Sequence, residues 1–278
     1  MLAGSIEQRA LAAARAVAAE HGVPCQRAEV VNSGSNVLVH LLPSPVMARV
    51  MSGTVALHDD PELWLTREVA VLSFLAPSGL AVAPSPLIDS GPYQRDGLWI
   101  TFCEWVEHRS WSPLEDPERL GAALRDLHQA LSRFPDELAG FADLQRDIER
   151  LRRQLVPTAG LSAERIDSLG ERLQALGDTL FEVSWPSQPL HGDASISNLL
   201  RTPAGLVWND FEDTFRGPVQ WDLAGYVMDW EYHGADSDLV RRALDAYGWG
   251  EREELEPFIP AHEVYGEIWR LYDAQRRG

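Results

Sequence analysis

Residues 190–212 read LHGDASISNLLRTPAGLVWNDFE, an island of loops and short apolar runs set between helical blocks. Asp193 is followed five positions later by Asn198, and the apolar run Leu206-Val207-Trp208 ends near a second carboxylate, Asp210. Phosphoryl transfer needs an acid beside the attacking hydroxyl and ligands that hold Mg²⁺ against the nucleotide phosphates. Asp193 supplies the first. The amide oxygen of Asn198 and the carboxylate of Asp210 are hard oxygen donors of the kind Mg²⁺ takes in small number while keeping several waters. A turn near Thr202–Gly205 between two strand-like runs predicts a hairpin with Asn198 and Asp210 at the same end, able to share a metal.

Working outward from this island, the upstream chain is strand-like and the remainder helical. Residues 28–31, 36–42 and 46–51 read as three strands separated by Ser-Gly-Ser and Pro-Ser-Pro turns. Asp60 and Pro61 are start signals for a helix to Leu75, with Leu65, Val69, Leu72 and Leu75 near helical spacing. The apolar run 98–106 suits a central strand. Beyond it, periods near 3.6 predict helices over 118–133, 144–155, 162–176, 237–247 and 251–277. The expected fold class is α+β, with a small β-rich part, residues 1–105, joined by a strand to a larger α-rich part, residues 106–278.

The chain of 278 residues carries 45% apolar residues and a net charge of −18, which disfavours nucleic acid and anionic membranes as partners and favours cationic small molecules. Two cysteines far apart, Cys25 and Cys103, suggest neither a disulfide scaffold nor a zinc site. Charges at Glu7, Arg9, Arg15 and Glu20 break the first apolar stretch, so it reads as a helix rather than a signal peptide. No run approaches the length of a membrane span. The expected location is cytoplasmic, as a monomer or homodimer.

Three motifs in order, HGDASISN, VWNDFED and Val219-Gln220-Trp221-Asp222-Leu223-Ala224, resemble the signature of the aminoglycoside phosphotransferase and choline kinase family, small-molecule kinases related to the protein kinases. The resemblance implies a two-lobed protein-kinase-like fold, with a nucleotide-binding lobe and hinge in 1–105 and the catalytic loop and acceptor site in 106–278. It implies ATP or GTP as phosphoryl donor with Mg²⁺. Asp193 would accept or orient the acceptor hydroxyl proton, Asn198 and Asp210 would hold the metal, and His191 and Asp222 would support the loop. Ser33, Gly34, Ser35 and Asn36 resemble the family's nucleotide-binding loop, although such a sequence also suits an ordinary hairpin turn. Arg49 stands where many members place Lys, paired with a helix carboxylate that would be Glu68; its planar fork binds phosphate differently from the point charge of Lys. Glu104 and Val106 fall on the hinge that would present backbone groups to a purine. Glu212 is read either as an aid to a second metal or as a solvent-facing acid.

In this family the acceptor lies in the helical lobe. There Asp229, Trp230 and Glu231, with Glu263 and Trp269 later, alternate acids and aromatic rings suited to an amine through charge and cation–π contact. The expected acceptor is a cationic amine or amino sugar, with a neutral sugar or nucleoside as an alternative. Two other classes stand beside this one. A nucleotide-binding regulator without transfer activity would keep the motifs but lose the chemistry. A protein kinase would need an activation segment, for which the stretch between Asp210 and Asp222 is too short.

Overall fold

A computed structural model of the chain describes residues 5–53, 58–109 and 113–277. In chain order these form α1 (Ile6–Glu20), β1 (Cys25–Ser33), β2 (Asn36–Pro43), β3 (Val46–Met51), α2 (Pro61–Leu75), β4 (Tyr93–Arg95), β5 (Leu98–Glu104), α3 (Pro117–Leu131), α4 (Phe141–Arg153), α5 (Ala163–Ala175), β6 (Gln188–Leu190), β7 (Leu199–Arg201), β8 (Leu206–Trp208), β9 (Phe215–Gly217), α6 (Val219–Tyr232), α7 (Ser237–Tyr247) and α8 (Ile259–Arg277). They divide into two compact units, one of Met1–Arg109 with Thr202–Glu212, the other of Ser110–Arg201 with Asp213–Gly278. The segment ending in Asp210 and Glu212 therefore groups with the first unit, whereas its place in the chain put it in the 106–278 part. Its backbone explains why: Trp208 N–H donates to Leu80 O at 2.8 Å, and Trp208 O accepts from Val82 N–H at 2.8 Å.

The first unit is a five-stranded antiparallel sheet in the order β1-β2-β3-β5-β4. In β2 the residues Val37, Val39 and Leu41 are buried in alternation, whereas every residue of the central strand β3 is buried. A run that is apolar on both faces is what a strand covered on both sides requires. α1 lays Ala10, Ala13, Ala14 and Val17 into the same core as the strands, at the i, i+3, i+4, i+7 spacing of one helical face. α2 begins where the sequence signals place it: Asp60 Oδ1 accepts from Leu63 N–H at 3.0 Å, and Pro61 occupies the first turn. Its buried stripe is Leu65, Glu68, Leu72 and Leu75 together with Val71, so the acid Glu68 sits where the apolar pattern suggested Val69. A glutamate on a buried stripe demands a partner.

The second unit is mainly helical, with the short antiparallel pair β6–β9 and the three-residue strand β7. Leu120, Leu124, Leu127 and Leu131 of α3 are all fully buried, one ridge at i, i+4, i+7, i+11. α3 and α7 approach so closely that a Cβ on Gly121 would lie 1.9 Å from Ala243 O. Phe141, Phe181, Phe215 and Trp221 form an aromatic cluster beneath α6. The helix expected over 251–277 is broken: Arg252–Leu255 is a single 3₁₀ turn and α8 begins at Ile259. Pro257 and Pro260 account for the break, since each lacks an N–H and is tolerated only at a helix start. Among the described residues no helix is long and apolar enough to cross a membrane.

Candidate active site

Within the first unit, Arg49 projects from the middle of β3, its neighbours in register being Leu38 and Thr101. Its side chain is only 10% exposed and is surrounded by acids. Nη1 donates to Glu68 in a short ion pair, and Nη2 lies 2.6 Å from Glu212 Oε2 and 2.7 Å from Asp210 Oδ1. The Asp210 contact is charge against charge, because Oδ1 has no aligned hydrogen bond. Burial pushes the Glu68 carboxyl above its ordinary value; Arg49 opposes the rise and Asp210 adds to it. Asp210 has φ of +66°, a left-handed backbone that non-glycine residues adopt rarely and that marks functional positions.

The Ser33–Asn36 segment is the tight turn joining β1 to β2, closed by Gly34 N–H donating to Asn36 O at 3.1 Å. Ser33 is exposed and Asn36 buried. Asn36 ties this turn to the rest of the unit: Nδ2 lies 3.5 Å from Glu212 Oε2, and Oδ1 accepts from Ser52 N–H at 3.3 Å. Glu104 closes β5 with its N–H on Ala83 O at 2.9 Å, and Val106 O accepts from the His108 ring at 2.9 Å. Glu68, Asp210 and Glu212 all contact Arg49.

In the second unit the His191–Asn198 loop hangs on one buried carboxylate. Asp222 Oδ2 accepts from His191 N–H at 2.8 Å and from the His128 ring at 2.9 Å, and Oδ1 accepts from Gly192 N–H at 3.0 Å. Asp222 therefore spends its oxygens on the loop and not on capping its own helix, α6, whose first residues have no side-chain cap. Burial pushes its carboxyl up, but the His128 ring and the His191 amide outweigh that and hold it below the ordinary range. His128 is satisfied on both nitrogens, the second meeting the Tyr247 hydroxyl at 2.8 Å. Trp221 Nε1 donates to Gly192 O at 3.0 Å, and Gly192 has φ of +89° with Asp213 O where a Cβ would stand. Only glycine fits there.

The loop so fixed presents Asp193 outward. Its side chain is exposed while His191 is fully buried, and His191 Nδ1 accepts from Asp193 N–H at 3.3 Å. Asn198 Nδ2 donates to both Asp193 O and Asp193 Oδ2 at 2.9 Å, which orients the carboxylate. That leaves the Asn198 amide oxygen, a hard donor, as the group this residue can offer a cation, and Asp210 can offer a carboxylate that is 36% exposed. Asn198 belongs to the second unit and Asp210 to the first. Among the described residues no group of three or more His, Cys, Asp or Glu is arranged to hold a metal ion by itself. The donor chemistry nevertheless fits Mg²⁺, which draws most of its shell from water and phosphate.

The five residues read as an acceptor lining are dispersed. Asp229 turns to the loop, its Oδ2 accepting from Ile196 N–H at 2.8 Å. Trp230 is 1% exposed and packs near Tyr226, so its ring face is core and not lining. It falls on the same buried stripe of α6 as Leu223, Ala224 and Val227. Glu231 pairs with Arg252 at 3.0 Å beside the exposed ring of Tyr232. Glu263 lies 3.9 Å from Arg172, and Trp269 sits by Tyr272 on α8. Glu212, far from facing solvent, has a side chain only 7% exposed. Its burial carried no signal in the sequence: Asp210 is left-handed and Glu212 lies in a turn, so an i, i+2 spacing there does not direct the two side chains to one side. Trp64, whose Nε1 donates to Glu212 O at 2.7 Å, carried none either.

A family model described as phosphotransferase enzyme family, APH, matches residues 53–258. No curated protein matches the chain. Among solved structures, choline kinase LicA from Streptococcus pneumoniae is similar at 16% identity over 95% of this chain and 91% of that one, with a TM-score of 0.67. The amicoumacin kinase hAmiN, in complex with AMP-PNP, Ca²⁺ and Ami, is similar at 11% identity, 95% and 93% coverage and a TM-score of 0.67. The GDP and kanamycin complex of APH(2")-IIia gives 16%, 91% and 88%, and 0.66. At these identities the likeness establishes the fold, which is α+β and protein-kinase-like. Because the family model spans most of a chain that has this fold, the chain belongs to the phosphotransferase enzyme family and is a small-molecule phosphotransferase.

Proposed function

We propose that the enzyme transfers the γ-phosphoryl group of ATP or GTP, with Mg²⁺, to a hydroxyl of a cationic amine or amino sugar. The observation that carries the chemistry is the presentation of Asp193: an exposed carboxylate on a loop whose His191, Gly192, Ala194, Ile196 and Asn198 are buried, with Asn198 fixing its orientation. Asp193 accepts the hydroxyl proton as the oxygen attacks. Asn198 and Asp210 are the donors to Mg²⁺, which when bound offsets charge on the transferring phosphoryl group. Arg49, held by Glu68, is the base that meets the phosphates, and the Ser33–Asn36 turn with the backbone at Glu104 and Val106 is the remainder of the nucleotide site. His191 and Asp222 keep the loop in place without touching the reactants.

The cationic acceptor is supported by the net charge of −18; the acids Asp229 and Glu231 are engaged with Ile196 N–H and Arg252 and add nothing to it. The neighbours whose printed names include a choline kinase and a kanamycin complex act on or bind nitrogen-bearing small molecules, in keeping with this choice. Trp230, being core, is no part of it. The test is nucleotide turnover with Mg²⁺ across amines, amino sugars and neutral sugars, for wild type and Asp193→Ala. The expected result is acceptor-dependent release of the nucleoside diphosphate, strongest with cationic acceptors and about 10²–10⁴-fold slower in the variant. Equal turnover by the two proteins would sink the assignment of Asp193.

A further inference from the structure

Arg49 is already committed. Of its three acidic partners, Glu68 orients it and Asp210 is the proposed metal donor, but Glu212 has no part in either role. Glu212 is nonetheless the most elaborately held of the three. Its carboxylate takes Arg49 Nη2 at 2.6 Å with Asn36 Nδ2 at 3.5 Å, and its backbone oxygen takes the Trp64 indole at 2.7 Å. Asn36 is itself fixed by Ser52, whose Oγ donates to Ser35 O at 3.2 Å. One acid thus ties the base on β3 to the β1–β2 turn and to α2, all within the first unit.

The charge balance of this cluster is lopsided. One guanidinium, 10% exposed, faces three carboxylates. Burial is the main reason the Glu68 carboxyl is pushed up; Arg49 opposes the rise, and the like charge of Asp210 adds to it. A metal-free nucleotide brings more negative charge to a base whose donors are taken, in a setting where water screens poorly. Turning the Glu212 carboxylate off Arg49 and toward a cation held at Asp210 would relieve both difficulties together, and Glu212 stands two residues from Asp210 with its backbone anchored so that only the side chain need move.

We propose that Glu212 makes the site discriminate against metal-free nucleotide, by occupying Arg49 until a divalent cation draws the carboxylate away. The inference rests on the reading that Arg49 meets nucleotide phosphates. Glu212 is then a specificity-determining residue for the phosphoryl donor, selecting the metal-loaded form.

The experiment is equilibrium binding of ADP by titration calorimetry, in EDTA and in saturating Mg²⁺, without turnover. Wild type should strongly prefer ADP with Mg²⁺. Glu212→Gln should tighten metal-free ADP by about tenfold, which is about 1.4 kcal/mol, with no gain in the Mg²⁺ form, so that the preference collapses. Glu68→Gln removes a carboxylate from the same arginine but should weaken both forms alike and keep the preference. A preference unchanged in Glu212→Gln, or reduced equally in Glu68→Gln, overturns the proposal while leaving the kinase reading intact. Should wild type bind ADP in neither condition, the nucleotide reading fails and this one with it. If Glu212→Gln does not fold, Glu212→Asp decides: one methylene shorter, it keeps the charge but withdraws it from Arg49, and should shift the preference in the same direction.

Discussion

Asp222 shows how much a single carboxylate can carry. Two loop amides and an imidazole converge on it, so the conformation that presents Asp193 depends on acceptor capacity at a residue that never meets solvent. Asp222→Asn keeps the shape but replaces one oxygen by a donor, which sets an N–H against an N–H. The expected loss is about 2–4 kcal/mol of stability, from one buried donor left unpaired and one charge-assisted bond removed. The turnover number should fall while the affinity for nucleotide changes little, because Arg49 and its partners lie in the other unit. The pH dependence has a definite sign. A carboxyl held below its ordinary value of 3.8 contributes stability that is present above that pH and is lost as pH falls through the folded-state value. The gap between wild type and Asp222→Asn in chemical denaturation should therefore be widest near neutrality and narrow below about pH 4. A gap that stays constant into acid would mean that Asp222 is not the ionised anchor of the loop.

At the scale of elements, periodicity was informative wherever a helix buries one stripe. α3 and α7 were legible because apolar residues recur at helical spacing; the structure adds caps that this reading did not use, Asp116 on α3 and Asp236 on α7, which accept backbone N–H groups of the first turn. α8 was legible only in part, since Pro257 and Pro260 interrupt a pattern that looks continuous. The three-residue strands β4, β6 and β9 are too short for a period of two to register and exist because a neighbouring strand accepts them. What no pattern reveals is how near two helices come, and there glycine decides. Gly121 lies inside α3 where alanine is favoured intrinsically by about 1 kcal/mol, yet its Cβ would overlap Ala243 O at 1.9 Å. Backbone on α7 cannot step aside cheaply, so Gly121→Ala should destabilise by about 1–3 kcal/mol. Gly170, inside α5, meets only the tip of the Arg152 side chain at 3.0 Å, which can swing away. Gly170→Ala should leave the melting temperature level or raise it. Equal losses in the two variants would show that the α3–α7 contact is not what selects glycine at 121.

For the whole molecule, the site was legible in the order in which its chemistry constrains sequence. Asp193, Asn198 and Asp210 stand out because their types and spacing would serve one reaction, whereas Arg49 and Glu68 entered only through the family resemblance. The acceptor lining was not legible. An aromatic ring buried on a helix stripe, such as Trp230, and one turned outward, such as Tyr232, look alike until packing is known. Charge is the property of the whole chain that still speaks to the acceptor. With a net charge of −18, the long-range field should raise the local concentration of cations and lower that of anions, over a distance set by ionic strength, about 10 Å at 0.1 M salt. A cationic acceptor should accordingly lose kcat/KM as salt rises, on the order of tenfold between 50 and 500 mM NaCl, whereas a neutral sugar of similar size should change little. The nucleotide offers an internal control, because screening relieves its repulsion and its apparent affinity should hold or improve over the same range. Steady-state kinetics at fixed Mg²⁺ with one acceptor of each charge separates these slopes. Parallel slopes for cationic and neutral acceptors would mean that the acidity of the chain serves solubility, and the choice of acceptor would then rest on contacts at the site alone.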